Sequence, residues 1–206
     1  VFWELSSLRF MVASFLTFAL YHLMDSFIVV WLGTEYVLPH SVLVVILANF
    51  FISQFRGTND QFIYGYGLFQ DTWAPIATLC ITILVALIGG YYWGLPGVLL
   101  GDVASSVTVI SIWKPYFLYS RGFQIPIKRH IQLMGKVIFL ILLSAGICQI
   151  TTKHLMPPYY SFTEWIYNSI LLFVYSILVF FILFAVFCKE FRNLFYRFLI
   201  ITRHKT

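Results

Sequence analysis

The feature that most limits the fold of this chain is a series of six apolar stretches, each about 18 to 25 residues long. An α-helix of that length crosses the hydrocarbon core of a bilayer. Only 10% of the residues are charged and 61% are hydrophobic, whereas soluble domains carry roughly 25% charged residues. A water-soluble fold with so few charges could not cover its surface. The stretches are Phe2–Met24 (which can continue through Phe27–Trp31), Val37–Phe55, Pro75–Tyr92, Gly94–Trp113, Leu133–Thr152 and Trp165–Phe187.

Lipid offers no hydrogen-bond partners for open backbone groups, so each stretch must be helical. The predicted fold is therefore an all-α, polytopic integral membrane protein with about six transmembrane helices. We expect one helical lobe over residues 1–188 and a basic cytoplasmic tail over residues 189–206. Pro115 is expected to bend or end the fourth helix, with Lys114 anchored in lipid headgroups. Polar, Gly and Pro residues separate the stretches: Gly57-Thr58-Asn59-Asp60, Gly89-Gly90, Pro115, Pro126 and Pro157-Pro158.

Lysine and arginine are distributed unevenly between the two sides of the membrane. The loops on the side opposite the C-terminus contain only one lysine or arginine, Lys153. The positive-inside rule therefore places the other loops and the C-terminus in the cytoplasm. The net charge of +5 is explained by this orientation and does not require a nucleic-acid partner. The basic residues of the predicted cytoplasmic side are Arg56, Lys114, Arg121, Lys128, Arg129, Lys189, Arg192, Arg197, Arg203 and Lys205.

The fourth stretch contains a carboxylate among small residues. Gly97, Gly101 and Ser105 recur every four residues, a pattern that lets a neighbouring helix approach closely. Asp102 lies beside this row and is expected to face protein or a water-filled cavity, because lipid would not solvate it. Two interpretations remain open: a structural carboxylate hydrogen-bonded across a helix pair, or a residue that couples transport to a substrate or an ion.

A polar row also follows the second stretch. Asn49, Ser53, Arg56 and Asp60 are spaced four, three and four residues apart, so they share one face of a helix. Such a row fits the wall of a hydrated cavity that opens to the cytoplasm. The alternative is an arginine that snorkels from a helix end, which leaves Asn49 and Ser53 unexplained.

Catalytic chemistry has little support in this sequence. There is no nucleophile–base pair, no His/Glu metal cluster and no phosphate-binding Gly loop. We therefore expect no enzyme activity, no metal and no cofactor. His22 and Asp25 lie three residues apart and fit either a proton relay or two interfacial side chains.

Four sequence blocks resemble bacterial polysaccharide flippases, the O-antigen and capsule exporters of the multidrug/oligosaccharidyl-lipid/polysaccharide superfamily. Their order and spacing also resemble that family, and they cover Phe27 to Phe123. Thr78 stands where relatives often have an acidic residue, and Asp102 where they more often have Thr or a small residue. The blocks are "FIVVWLGTEYVLP" (Phe27–Pro39), "NFFISQFRGTNDQFIYGYGLFQDTWAPI" (Asn49–Ile76), "GLPGVLLGDVASS" (Gly94–Ser106) and "WKPYFLYSRGF" (Trp113–Phe123).

The resemblance implies the C-terminal lobe of a MATE-like transporter, with an N-terminal half missing from this chain. It implies transport of undecaprenyl-diphosphate-linked oligosaccharides, the repeat units of O-antigen or capsule, across the bacterial inner membrane by alternating access. Arg56 stands at the arginine of the family's block and would meet the lipid diphosphate, with Asn49 and Ser53 beside it. Asp102 would be the coupling candidate. The implied partners are the lipid-linked oligosaccharide, membrane lipids and the missing half, and no nucleic acid.

Other functions remain open at this point. A multidrug exporter of the same superfamily would use acidic and aromatic cavities, which Asp102 favours and Arg56 does not. A membrane-embedded polysaccharide polymerase or acyltransferase should have a large outer loop or a catalytic constellation, and neither is present in the sequence. A purely structural membrane subunit would not need polar rows in its helices.

Overall fold

The computed structural model describes residues 1–155 and 162–203. Over these ranges the chain consists of helices and short connections, with no β-strand. A single turn of 3-10 helix, Thr34–Tyr36, follows the first helix. The helices are α1 (Phe2–Trp31), α2 (His40–Gly65), α3 (Trp73–Trp93), α4 (Leu95–Phe123), α5 (Lys128–Leu155), α6 (Phe162–Phe187) and α7 (Lys189–Arg203).

Within the described residues, six helices, α1 to α6, are long and apolar enough to cross a membrane. Their outer surfaces are apolar as well: Leu87, Leu142 and Ile150 are 69%, 67% and 68% exposed. Large apolar side chains on the outside of six helices of this length fit a lipid environment. The predicted all-α, polytopic membrane fold is confirmed.

Two helices extend beyond their predicted ends. The predicted break at Gly57-Thr58-Asn59-Asp60 is wrong, because these residues lie inside α2. Thr58 and Asn59 are each only 2% exposed, so this part of α2 is packed against protein and does not form a solvated loop. Pro115 does not end the fourth helix, as one of the two predicted outcomes had it, since α4 continues to Phe123.

The chain divides into two compact units. The first comprises Val1–Val37 and the described residues of Met134–Thr206, and the second comprises Leu38–Leu133. Both units contribute residues to the predicted lobe over residues 1–188. The predicted tail is helical through Arg203, whereas Pro157, Pro158 and Lys205 lie outside the described residues.

In the first unit, α1 packs along α6. The rings of Phe15 and Phe173 meet edge to face with centroids 5.4 Å apart, and those of Phe27 and Trp165 are 5.0 Å apart. Contacts of this kind stabilise a helix pair beyond the area that they bury.

In the second unit, α3 and α4 form a tight helical hairpin. Gly94 connects them with a φ of 64°, a backbone conformation that residues with a Cβ rarely adopt. Gly97, Gly101 and Ser105 are buried in α4, and Ser105 accepts a 2.8 Å hydrogen bond from the Thr82 hydroxyl of α3. The predicted small-residue face for helix packing is confirmed.

Helix α4 passes Pro115 by changing its hydrogen-bond pattern. Residues Ser106–Trp113 form a π-helix, followed by a short α-helical turn, and Leu118–Phe123 form a second π-helix. The Lys114 amide donates to the Val109 carbonyl, five residues back, as a π-helix requires. The next acceptor in this pattern is the Ile110 carbonyl, and its donor would be Pro115, which has no N–H.

A side chain from α2 supplies the missing donor. The Asn59 amide nitrogen lies 3.3 Å from the Ile110 carbonyl oxygen and donates to it. Because buried backbone carbonyls are costly when unpaired, this bond explains why an asparagine is buried between α2 and α4. It also joins α2 to the middle of α4.

Candidate substrate cleft

A polar cleft of about 430 Å³ lies within the second unit, where the last turns of α2 face the start of α3 and the middle of α4. Its apolar wall includes Ile63, Ala74 and Ile110. The polar and charged side chains around it come from three helices and the connection between α2 and α3: Arg56, Asp60, Asp71, Thr72, Thr78 and Lys114.

An ion pair joins two sides of the cleft. The Lys114 ammonium contacts the Asp60 carboxylate, and the two side chains are 18% and 23% exposed. The pair connects α4 to α2 one residue after the Asn59 bond. Lys114 is thus not the headgroup anchor that the sequence predicts, because α4 continues past Pro115 and holds Lys114 beside α2. At this burial, loss of one partner leaves the other charge poorly solvated.

Asp71 closes the cleft on the side of the α2–α3 connection. Its carboxylate accepts a 2.8 Å hydrogen bond from the Trp113 indole nitrogen. The Trp113 ring in turn packs edge to face on Trp73, with centroids 4.7 Å apart. This carboxylate is therefore held by a neutral donor at the edge of the cleft.

Arg56 lines the cleft one helical turn before Asp60, and its side chain is exposed. Asp60 is paired with Lys114, and no carboxylate within the described residues pairs with Arg56. The guanidinium group therefore keeps its five N–H donors available for a ligand. Arg56 is the strongest candidate in this cleft for binding an anion.

The other members of the predicted polar row do not line the cleft. Asn49 is half-buried and lies nearer the start of α2. The Ser53 hydroxyl donates a 2.7 Å hydrogen bond to the Phe50 carbonyl of its own helix. The structure thus brings together Arg56 and Asp60 from this row but not Asn49 and Ser53.

Asp102 is exposed on α4 and lies outside the cleft. Gly97, Gly101 and Ser105 occupy the packed face of the helix, and successive helical residues are separated by about 100°. Asp102 is therefore turned away from α3, and the expectation that it faces protein is not met within the second unit. In the first unit, the His22 ring packs on the ring of Phe18, with centroids 4.6 Å apart.

No protein-family model, no curated protein and no solved structure matches the chain.

The residues that the sequence analysis missed are Asn59, Asp71 and Trp113. A signal for Asn59 was present: Pro115 inside an apolar stretch removes a backbone donor, so a polar side chain elsewhere must replace it. Asp71 and Trp113 are brought together only by the packing of α4, and their separation in sequence gives no sign of it. Among the described residues, no group of three His, Cys, Asp or Glu side chains could hold a metal ion.

Proposed function

We propose that this chain is the C-terminal part of a flippase that moves undecaprenyl-diphosphate-linked oligosaccharides across the bacterial inner membrane by alternating access. The observation that carries the proposal is Arg56, an exposed guanidinium that lines the polar cleft without an ion pair among the described residues. A membrane-spanning chain rarely keeps a charge in such a position without a ligand or partner for it.

A lipid-linked diphosphate has the chemistry that this cleft would bind. Arginine binds phosphate oxygens through two parallel N–H bonds, and the polyprenyl chain of the substrate can remain in the bilayer. An incoming diphosphate would also lie near Lys114, whose ammonium has three donors and can contact a phosphate while it stays paired with Asp60. The resemblance to flippases in four sequence blocks supports the same substrate. A cationic drug would be repelled by Arg56, which makes multidrug export the weaker proposal.

The proposal includes an orientation in which the C-terminus and the connection after α4 are cytoplasmic. We expect a membrane-impermeant thiol reagent added outside cells to label Tyr92→Cys and to leave Gln124→Cys unlabelled. The wild-type side chains at both positions are exposed. A difference in labelling therefore reports the side of the membrane and not burial within the protein. Labelling of Gln124→Cys alone would reverse the orientation and remove Arg56 from the proposed entry side.

Substitution of Arg56 tests the substrate. Hydrogen bonds to a charged group contribute about 1.5–3 kcal/mol each, so Arg56→Ala should weaken substrate affinity by about tenfold or more. Lysine keeps the charge but loses the two-pronged geometry, so Arg56→Lys should fall between alanine and the wild type. The measurement is export of surface glycan by the full-length protein in a strain that lacks its flippase, normalised to the amount of protein in the membrane.

The matched control is Arg121→Ala, which removes an exposed arginine from the same unit and the same predicted side but does not line the cleft. It should export glycan at the wild-type level. A snorkelling arginine predicts a different pattern, in which lysine equals the wild type and both alanine variants behave alike. Full export by Arg56→Ala would eliminate Arg56 as the site that binds the lipid diphosphate.

A further inference from the structure

The last described helix, α7, differs from the six spanning helices in the arrangement of its side chains. It follows α6 after one residue, Cys188, and contains four basic residues and one acidic residue among its 15 positions. Phe191 is fully buried and Leu194 is 7% exposed, whereas Lys189 and Arg192 are exposed. The helix is therefore amphipathic and too polar to span a bilayer.

Contacts within the first unit place α7 against the first turn of α1, the last turns of α6 and Lys136 of α5. The Arg197 guanidinium lies 3.0 Å from the carboxylate of Glu4, which belongs to the first turn of α1. Glu190 lies 3.9 Å from the Lys136 ammonium of α5. Helix α7 also folds back onto the last turns of α6, where the rings of Phe184 and Phe191 have centroids 6.0 Å apart.

The ends of membrane-spanning helices lie at the membrane surface. Since α7 contacts the first turn of α1 and the last turns of α6, it lies at the same level as these ends. An amphipathic helix at that level rests in the interface, with its polar face toward the headgroups. Its position follows from the packing and does not depend on which side of the membrane is cytoplasmic.

The outward face of α7 combines cations with aromatic rings. No carboxylate within the described residues pairs with Lys189 or Arg192, and Glu190, which lies between them in sequence, contacts Lys136. Arg192 donates 3.2 Å to the Val186 carbonyl at the end of α6 and keeps further N–H groups for a ligand. Tyr196 is 64% exposed and Phe195 is 42% exposed, and exposed aromatic side chains are typical of the interface.

We propose that this face of α7 is a binding surface for the headgroups of anionic phospholipids. The charge of the surface is complementary to the phosphate and to the net negative charge of such lipids. Lys189 and Arg192 would contact the headgroups, while Phe195 and Tyr196 would insert between the first carbons of the acyl chains. The buried side, with Phe191 and Leu194, keeps α7 docked on the helix ends. This inference is independent of the proposed transport function.

The test measures the lipids that remain bound to the purified full-length protein. After incubation with an equimolar mixture of phosphatidylglycerol and phosphatidylcholine in detergent micelles, native mass spectrometry counts each lipid on the protein. One cation near a lipid surface is worth about fivefold in binding. We therefore expect the wild type to retain more phosphatidylglycerol, and Lys189→Gln/Arg192→Gln to lose about tenfold or more of that excess.

Two variants make the result specific. Lys189→Arg/Arg192→Lys keeps both charges and should retain the excess of phosphatidylglycerol. Arg121→Gln/Lys128→Gln removes two exposed charges from the second unit and should also retain it. Thermal unfolding in phosphatidylcholine alone checks that all variants are folded, since none of the substituted side chains is buried. An unchanged excess in Lys189→Gln/Arg192→Gln would overturn the proposal. A wild type that retains the two lipids equally would also overturn it, and a second copy of the chain bound to that protein would identify the occupant of this face instead.

Discussion

Replacing Gly97 by alanine is expected to weaken the α3–α4 hairpin more than the same change at any other glycine of the second unit. A Cβ at Gly97 would collide with the backbone carbonyl group of Gly89, and one at Gly89 would lie 2.5 Å from the Gly97 carbonyl oxygen. Neither obstacle is a flexible side chain, so the two helices would have to separate. Overpacking of this kind costs about 1–3 kcal/mol, and leucine at Gly97 should prevent the hairpin from closing.

Gly146→Ala is the matched control. A Cβ at Gly146 of α5 would meet nothing within 4 Å, and the change from glycine to alanine favours a helix by up to about 1 kcal/mol. The same substitution should therefore lower the thermal stability of the protein at Gly97 and preserve or raise it at Gly146. A second measurement reports the distance between α3 and α4. Crosslinking of Thr82→Cys to Ser105→Cys in a Cys80→Ser background should decrease when Gly97 is replaced. Equal stability and equal crosslinking in both variants would contradict backbone contact between α3 and α4.

The sequence was sufficient to predict the fold class because the bilayer imposes a length and a composition that few other folds share. Each apolar stretch became a helix, and the row of Gly97, Gly101 and Ser105 correctly indicated the packed face of α4. These features are local, since they depend on residues that lie within one or two turns of each other.

The candidate cleft was less predictable because it depends on contacts between distant residues. Arg56 and Asp60 could be placed on one helical face from their spacing alone. That Asp60 pairs with Lys114, and Trp113 with Asp71, depends on the path of α4 beyond Pro115. From the sequence alone, Pro115 predicts that this helix bends or ends there. Each π-helical segment adds a residue to a turn and rotates the following side chains by about 100° relative to an α-helix, which no simple periodicity anticipates.

The path of α4 through Pro115 depends on Asn59, and its removal is expected to have the second large effect. Asn59→Ala leaves the buried Ile110 carbonyl without a donor, because Pro115 cannot supply one. An unsatisfied buried group costs about 1–3 kcal/mol, and the loss of packing at a residue only 2% exposed adds to it. Lower thermal stability should follow. Export of glycan should also decrease, since Trp113, the last residue of the π-helical segment, holds Asp71, and Lys114, the next residue, lines the cleft.

A double-mutant cycle with Pro115 separates this cause from simple cavity formation. Pro115→Ala restores a backbone N–H that can donate to the Ile110 carbonyl, so Asn59→Ala should cost less in that background, by about 1 kcal/mol or more. Thr58→Val is the matched control: Thr58 is as buried as Asn59, and its hydroxyl has no hydrogen-bond partner among the described residues. Its replacement should leave stability unchanged or raise it. If Asn59→Ala costs the same with and without Pro115, the amide does not replace the missing donor, and another cause must keep α4 continuous.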